Sequence, residues 1–293
     1  MMNGRHIKEG IKLATDLIGK EVGFINAINV YPVADGDTGT NMYNTMKGIW
    51  EQIQEVDSEH AGEVAEHIAD AALESARGNS GVILSQFFWG FREGIGDAEK
   101  LDANLVVAAF VEGKDWAYQA VANPVEGTIL TVMRETAEAA QRLAKEHPSV
   151  PELLHRLYRA SLAALEKTPE MLRKLGKPKI IDSGAYGFTL LVEGLVHAMG
   201  IDVRGYRVRG MRAERETSNG ESILFCTNYM IELNNGATAD EIRAVIEKFG
   251  DSIVVVGGGG KMKVHIHTDR PEDVKNVLKP FGRIVQERID RIW

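Results

Sequence analysis

The segment IKEGIKLATDLIGKEVGFI, residues 7–25, places apolar side chains at intervals of three and four. This spacing collects them on one face of an α-helix, because an α-helix turns once every 3.6 residues. Seven further segments repeat the pattern, and short turns with Gly, Pro, Asn or Asp separate them. They cover residues 40–54, 60–77, 80–94, 102–122, 126–145, 150–166 and 184–199. Eight helices of comparable length predict an antiparallel eight-helix bundle or barrel.

The pattern changes after residue 202. Residues 204–222 are rich in Arg and Glu and lack aliphatic periodicity, which is typical of a linker. Strand-like and helical segments then alternate in the order βαββαβ, which predicts a ferredoxin-like sheet. The segments are 223–233, 239–250, 253–257, 263–268, 271–282 and 283–289. We therefore predict a multidomain α and α+β chain, with a helical domain at 1–202, a linker at 203–221 and a small α/β domain at 222–293.

Composition excludes several classes of protein. A chain of 293 residues with 44% hydrophobic content can bury a sizeable core. A net charge of −8 argues against a broad nucleic-acid surface. Cys226 is the only cysteine, so no internal disulfide forms. The first residues do not resemble a signal peptide and no apolar run approaches about 20 residues, so we expect a cytoplasmic protein that is not integral to a membrane.

Residues 35–41 read DGDTGTN and directly precede a predicted helix. Asp35 and Asp37 can converge on Mg²⁺, because Gly36 permits a tight backbone path between them. The amides that follow would lie at a helix N-terminus, where free N–H groups and the helix dipole favour phosphate. We therefore expect the segment to bind nucleotide phosphates through Thr38, Gly39, Thr40 and Asn41. The alternative is an ordinary acidic helix cap.

Three other helix starts carry glycine and polar residues: 77–81, 124–128 and 182–187. Each by itself is also compatible with a plain capping turn. In an up-and-down arrangement, however, the starts of the second, fourth, sixth and eighth helices all lie at one end. Four such N-termini around one ligand favour a polyphosphate. The candidate residues are Gly78, Asn79, Ser80, Gly81, Thr128, Asp182, Ser183 and Gly184.

A second candidate metal site comprises Cys226, His265 and His267. The two histidines are two residues apart on one predicted strand, so they project from the same face. A cysteine and two histidines form a ligand set typical of Zn²⁺. The alternative is a buried cysteine beside two half-exposed strand histidines.

Three segments closely resemble FakA, the ATP-binding component of the bacterial fatty acid kinase family: 29–42 (NVYPVADGDTGTNM), 78–86 (GNSGVILSQ) and 124–130 (PVEGTIL). The first domain is similar to DhaL, the nucleotide-binding component of dihydroxyacetone kinase. Residues 225–227 and 263–268 resemble the family's middle domain. The resemblance implies an eight-helix barrel with ATP and two Mg²⁺ at one end. It also implies a smaller α/β domain with a Cys/His metal site and a role in dimerisation.

By this resemblance, Asp35 and Asp37 are the catalytic magnesium ligands, and the turns at 78–81 and 182–184 hold the nucleotide phosphates. Asn29 is the nearest polar candidate for a third magnesium ligand. The family's third domain does not fall within these residues, so we expect either a piece of a longer chain or a naturally short relative.

The function implied is ATP-dependent phosphorylation of a fatty acid carboxylate that a separate fatty-acid-binding protein presents, by a homodimeric kinase. A carboxylate is already ionised at neutral pH, so the site needs no strong base. Two alternatives remain open. One is a dihydroxyacetone-type kinase, and the other is a nucleotide-binding dimerisation scaffold without turnover.

Overall fold

The computed structural model describes residues 1–32, 34–176, 179–203, 225–234, 236–258 and 260–291. Two separate apolar cores divide the described chain. We call residues 4–198 the helical domain and residues 225–291 the sheet domain. The predicted linker lies outside the described residues, apart from Val203.

In the described part of the helical domain there are eight long helices, as the sequence predicted. Each packs against the next, and the last returns to the first, so they close a ring. A seven-residue helix, α8, precedes the last long helix and was not predicted. The two short strands β1 and β2 pair beside the ring. The elements are β1 Met2–Asn3, α1 Gly4–Ala27, α2 Thr38–Ile53, α3 Ala61–Ser75, α4 Gly78–Ile95, β2 Lys100–Leu101, α5 Ala103–Ala120, α6 Ile129–Ala144, α7 Val150–Leu165, α8 Thr168–Lys174 and α9 Ser183–Ala198.

Aromatic side chains fill the interior of the ring. The ring centroid of Phe87 lies 5.0 Å from that of Phe188 and 5.8 Å from that of Phe110, both in edge-to-face geometry. Glycines let α4 approach α5 closely, because a Cβ on Gly90 would lie 2.3 Å from the carbonyl oxygen of Glu112. None of the described helices has the length and apolar composition needed to cross a membrane.

The sheet domain follows the predicted βαββαβ order. Its four antiparallel strands lie in the spatial order β4-β5-β3-β6, which is the ferredoxin-like arrangement. Each helix continues into a short 3₁₀ turn, and both helices cover the face that carries Tyr229, Val255 and Val264. The elements are β3 Phe225–Leu233, α10 Ala239–Ile246, β4 Asp251–Gly258, β5 Lys261–Thr268, α11 Pro271–Leu278 and β6 Gly282–Arg291.

The other face of the sheet packs against the helical domain. Met230, Val254 and Val256 form a small apolar cluster with side chains from α3, α4 and α5. Val121, just after α5, also forms an isolated antiparallel bridge with Val254. The sheet domain therefore docks on the ring through both side chains and backbone.

Lys263 provides the main polar contact of this interface. Its side chain is buried, and its Nζ donates to the carbonyl oxygens of Leu73 at 3.1 Å and Ala76 at 2.6 Å. These carbonyls end α3, where a helix leaves acceptors unpaired and its dipole favours a cation. Burial, assisted by the nearby Arg77, lowers the pKa of Lys263 to about 7. Thus β5 holds the segment that leads from α3 into α4.

We predict that Gly90→Ala lowers the free energy of unfolding by about 1–3 kcal/mol, because the new methyl group would overlap the backbone of α5. The matched control is Gly23→Ala on α1, where the methyl group meets nothing within 4 Å. It should raise stability by about 0.5–1 kcal/mol through helix propensity. Urea unfolding measures both variants, and equal effects would contradict the close packing of α4 on α5.

We predict that Lys263→Met lowers the free energy of unfolding by about 1–3 kcal/mol, because the Leu73 carbonyl loses its donor and the Ala76 carbonyl keeps only the 3.3 Å bond from Arg77 Nη1. Lys261→Met is the control, since the Lys261 amine is partly exposed and lies 3.5 Å from Glu74 at the same interface. That exposed pair should contribute about 0–1 kcal/mol. Unchanged stability in Lys263→Met would mean that desolvation of the ammonium cancels its two hydrogen bonds.

Candidate functional site

Asp35 and Asp37 lie in the loop between α1 and α2 and line a small polar cavity. Gly36 between them has φ of 69°, a conformation that favours glycine. Burial and the charge of Asp37 raise the pKa of Asp35 to about 7. Within the described ranges, neither carboxylate forms an ion pair. Two adjacent, half-buried and uncompensated carboxylates fit a hard divalent cation such as Mg²⁺.

The start of α2 differs from the sequence expectation. The amides of Gly39 and Thr40 both donate to Asn26 Oδ1, at 2.7 and 3.1 Å, and the amide of Asn41 donates to the Asp37 carbonyl at 2.8 Å. The prediction that these three amides are free for phosphate is therefore wrong. Asn26 satisfies the first two from the last turn of α1, and its position fourteen residues before Thr40 gave no local capping signal.

Asn29 has a similar structural role. It is buried, and its Oδ1 accepts hydrogen bonds from the amide of Thr38 at 3.1 Å and from the Thr38 hydroxyl. Both lone pairs of that oxygen are thus engaged. Asn29 does lie on the wall of the polar cavity. This geometry favours a cap for α2 and gives no support to a third magnesium ligand.

The start of α4 retains free donors. In the described parts of the chain, the amides of Gly78, Asn79 and Ser80 have no hydrogen-bond partner, whereas that of Gly81 donates to the Arg77 carbonyl at 3.1 Å. Gly78 has φ of 59°, and a Cβ there would lie 2.5 Å from Asn41 Nδ2. The Asn79 Oδ1 atom is also buried without a partner. This turn has the free N–H groups that an anion requires.

Asp182 joins the starts of α6 and α9. Its buried carboxylate accepts a hydrogen bond from the amide of Ala185 at 2.8 Å, and the nearby amides of Gly184 and Ile129 also stabilise its charged form. Burial raises the pKa of Asp182 to about 7, although these amides oppose the shift. Asp182 therefore fixes two helix starts relative to each other.

A cavity of about 460 Å³ adjoins the polar cavity, and the two share Tyr31, Pro32, Thr38, Asn79 and Ser80. Thr38, Ser80, Thr128 and Ser183 bring the starts of α2, α4, α6 and α9 to its wall. The structure thus places the four predicted helix starts at one end of the ring. The volume of the cavity is in the usual range for ligand sites.

Thr128 also caps α6. Its hydroxyl donates to the Val125 carbonyl at 2.7 Å and accepts from the amide of Leu130 at 3.4 Å. Glu126 orders the preceding turn by accepting from Thr131 and Arg134. Although desolvation acts the other way, these bonds lower the pKa of Glu126. Glu126 is therefore ionised, and its hydrogen bonds hold this turn in place beside the cavity.

Cys226, His265 and His267 form a compact cluster between β3 and β5. One ligand atom from each lies within 4.8 Å of the others, and all three residues are buried. The alternative of half-exposed histidines is wrong, because His265 is 0% and His267 5% exposed. His265 Nε2 and His267 Nδ1 are buried and lack hydrogen-bond partners. Two unpartnered ring nitrogens beside a thiol fit a zinc ion.

The protonation states agree with this ligand set. Burial lowers the pKa of both histidines, so the imidazoles are neutral and able to bind a metal. Burial raises the pKa of the Cys226 thiol to about 12. A bound cation would therefore have to displace the thiol proton, as zinc does in cysteine sites.

The two candidate metal sites adjoin each other, which sequence reasoning missed. Cys226 and His267 line the same polar cavity as Asp35 and Asp37. The four residues come from distant segments, and docking of the sheet on the helical domain brings them together. No local sequence pattern encodes that docking. The cavity thus combines hard carboxylate ligands with a thiol and an imidazole.

Comparisons with known proteins agree with this architecture. The DAK2 domain model matches residues 32–197, and the model for the middle domain of FakA-like fatty acid kinases matches residues 222–292. Protein YloV of Bacillus subtilis is 32% identical over 307 residues, covering 99% of this chain and 56% of that protein. An uncharacterised Staphylococcus saprophyticus protein is 33% identical over 305 residues, covering 99% of this chain and 55% of its own. The chain spans little more than half the length of these relatives.

Solved structures of dihydroxyacetone kinase from C. freundii are also similar. The native form superposes with a TM-score of 0.49 and 17% identity, covering 66% of this chain and 34% of that chain. The complex with AMP-PNP and Mg²⁺ also has a TM-score of 0.49, with 16% identity. Since the DAK2 match covers more than half of the residues and the middle-domain match most of the remainder, the chain belongs to the DAK2-domain family of kinase-related proteins and carries a FakA-like middle domain.

Proposed function

We propose that this protein is an ATP-dependent kinase that transfers the γ-phosphoryl group to the carboxylate of a fatty acid held by a separate fatty-acid-binding protein. The observation that carries the proposal is the juxtaposition of Asp35 and Asp37 with the free amides of residues 78–80 in one cavity. Carboxylates that bind metal and N–H groups that bind phosphate are the two elements that phosphoryl transfer requires.

Asp35 and Asp37 would hold two Mg²⁺ ions, which supply charge neutralisation for the phosphates when bound. The amides of Gly78, Asn79 and Ser80 would bind phosphate oxygens at the N-terminus of α4. Thr38 and Asn41 line the same polar cavity and would contact the phosphates through their side chains. Asp182 would keep the starts of α6 and α9 in register, so that Ser183 and Gly184 face the nucleotide.

The acceptor proposed is a carboxylate, which needs no general base to deprotonate it. A fatty acid carboxylate is ionised at neutral pH, so transfer depends mainly on alignment and charge neutralisation. The interior of the ring is occupied by its own side chains, such as Phe87 and Phe188. A long acyl chain would therefore enter with a carrier protein. The middle-domain match supports this acceptor class.

The DAK2 match also favours a second candidate, a kinase of dihydroxyacetone type. Assays with the purified protein would separate the two by the acceptor: a small keto-sugar or a lipid carboxylate on its carrier. A non-catalytic scaffold would bind nucleotide without forming ADP in either assay. We further propose a cytoplasmic homodimer, whose oligomeric state native mass spectrometry would test.

We predict that Asp35→Asn and Asp37→Asn each lower the rate of ADP formation by about 10²–10³-fold, because each loses a charged ligand for the metal. Asp57→Asn is the matched control, since Asp57 is exposed and distant in sequence from the site. It should retain wild-type turnover. Thermal melting would establish that all three variants fold, and near-normal turnover in both site variants would exclude the proposed metal role.

We predict that the purified protein contains about one zinc ion per chain and that Cys226→Ser removes most of it, because one of three buried ligands is lost. His67→Gln on α3 is the control, since this exposed histidine lies outside the cluster. Elemental analysis by mass spectrometry measures both. A wild-type protein without bound metal at neutral pH would contradict the zinc assignment.

A further inference from the structure

The cavity of about 460 Å³, which we call the large cavity, has a second wall that belongs to the sheet domain. Arg243 of α10 and Glu247 of the following turn line it, together with the start of β4 at Asp251, Ser252 and Ile253. These residues face the helix starts at Ser80, Thr128 and Ser183 across the cavity. The proposed function uses only the helical wall, so the chemistry of the sheet-domain wall is still unassigned.

On this wall, Arg243 carries a buried hydrogen-bond donor that has no acceptor among the described residues. Its Nη1 donates to Asp240 Oδ1 at 2.6 Å, which orients the guanidinium group. Its side chain is 18% exposed, and its Nε atom is buried without a hydrogen-bond partner. A buried N–H donor without an acceptor is unfavourable, and an acceptor atom of a bound molecule would relieve it.

The position of the cavity indicates which part of a ligand would reach Arg243. The polar cavity with Asp35 and Asp37 adjoins one side of the large cavity, and Asn79 and Ser80 line both. A triphosphate bound at that junction would direct its nucleoside into the large cavity. Apolar side chains there, among them Ile83, Val125 and Ile253, would contact the faces of a base.

The charges of the wall fit a nucleoside better than a further phosphate. Glu247 and Asp251 lie on the same wall as Arg243, and both would repel an anion there. Carboxylates accept hydrogen bonds from ribose hydroxyl groups, whereas the Arg243 Nε–H donates to an oxygen or nitrogen acceptor. Donor and acceptors together match an uncharged polar group such as a nucleoside.

We propose that the sheet domain forms part of the nucleotide site and that Arg243 binds the nucleoside moiety through its Nε–H. This inference rests on the proposed kinase function. It extends that function because it assigns nucleoside recognition to the sheet domain, whereas the proposed phosphate and metal contacts come from the helical domain. Nucleotide affinity would then depend on docking of the two domains.

The test compares MgATP with magnesium tripolyphosphate, which has the phosphates but no nucleoside. Isothermal titration calorimetry on the full chain would give both dissociation constants. For Arg243→Met we expect the dissociation constant for MgATP to rise about tenfold, a change of about 1.4 kcal/mol. That for magnesium tripolyphosphate should stay unchanged. Arg283→Met is the matched control, since Arg283 is 75% exposed and pairs with Glu232. It should alter neither constant.

Arg243→Lys is the second variant, because it keeps the positive charge and lacks the Nε–H. It should also raise the dissociation constant for MgATP and leave that for magnesium tripolyphosphate unchanged. If Arg243→Met does not fold, this variant provides the test. Unchanged MgATP affinity in a folded variant would overturn the inference alone. An equal loss for both ligands would overturn it too, by assigning Arg243 to the phosphates. If the wild-type protein bound no MgATP, the proposed function would fail together with the inference.

Discussion

The contact on which the site depends is the burial of one face of the sheet against the ends of α3 and α4. Apolar side chains such as Met230 and Val256 supply the non-directional part of this contact. Lys263 supplies the directional part, because its ammonium donates to the carbonyls of Leu73 and Ala76. An amine buried at a helix C-terminus favours one orientation, since a shift would leave its buried N–H donors without acceptors.

This contact is transmitted to the candidate phosphate turn through the backbone. Ala76 directly precedes Arg77, whose amide donates to Thr45 Oγ1 at 3.0 Å. The same Thr45 hydroxyl donates to the Asn41 carbonyl at 2.8 Å, so the start of α4 is tied to the first turn of α2. The geometry of residues 78–80 thus depends on both domains. A change at the interface would therefore alter the positions of these helix starts.

The four helix starts share one end of the ring but differ in chemistry. Asn26 accepts from amides at the start of α2, Thr128 caps α6, and Asp182 caps α9. Only α4 combines a glycine at positive φ with three amides that have no partner in the described residues. Side chains therefore cap three of the helices, and in the described residues the amides at the start of the fourth have no partner. Capping fixes the positions of these helix starts, and amides without a partner are the groups that an anion would bind.

The sequence determined the elements of this protein. Apolar periodicity located eight long helices and the βαββαβ order, because local spacing decides which side chains share a face. The short α8 was missed, since seven residues contain too few turns to show a period. Motif chemistry also indicated Asp35, Asp37 and the Cys226 cluster as candidate ligands, because ligand types are a property of the residues themselves.

Only the tertiary structure decided which groups meet and which remain free. Asn26, which belongs to α1, accepts a hydrogen bond from the start of α2. The sheet brings Cys226 and His267 beside Asp35 and Asp37. Docking of the sheet domain also places Arg243 on the wall of the large cavity. These relations join residues far apart in the chain. They follow from the packing of complementary surfaces, which depends on shape and burial over many side chains and has no short-range signature in the sequence.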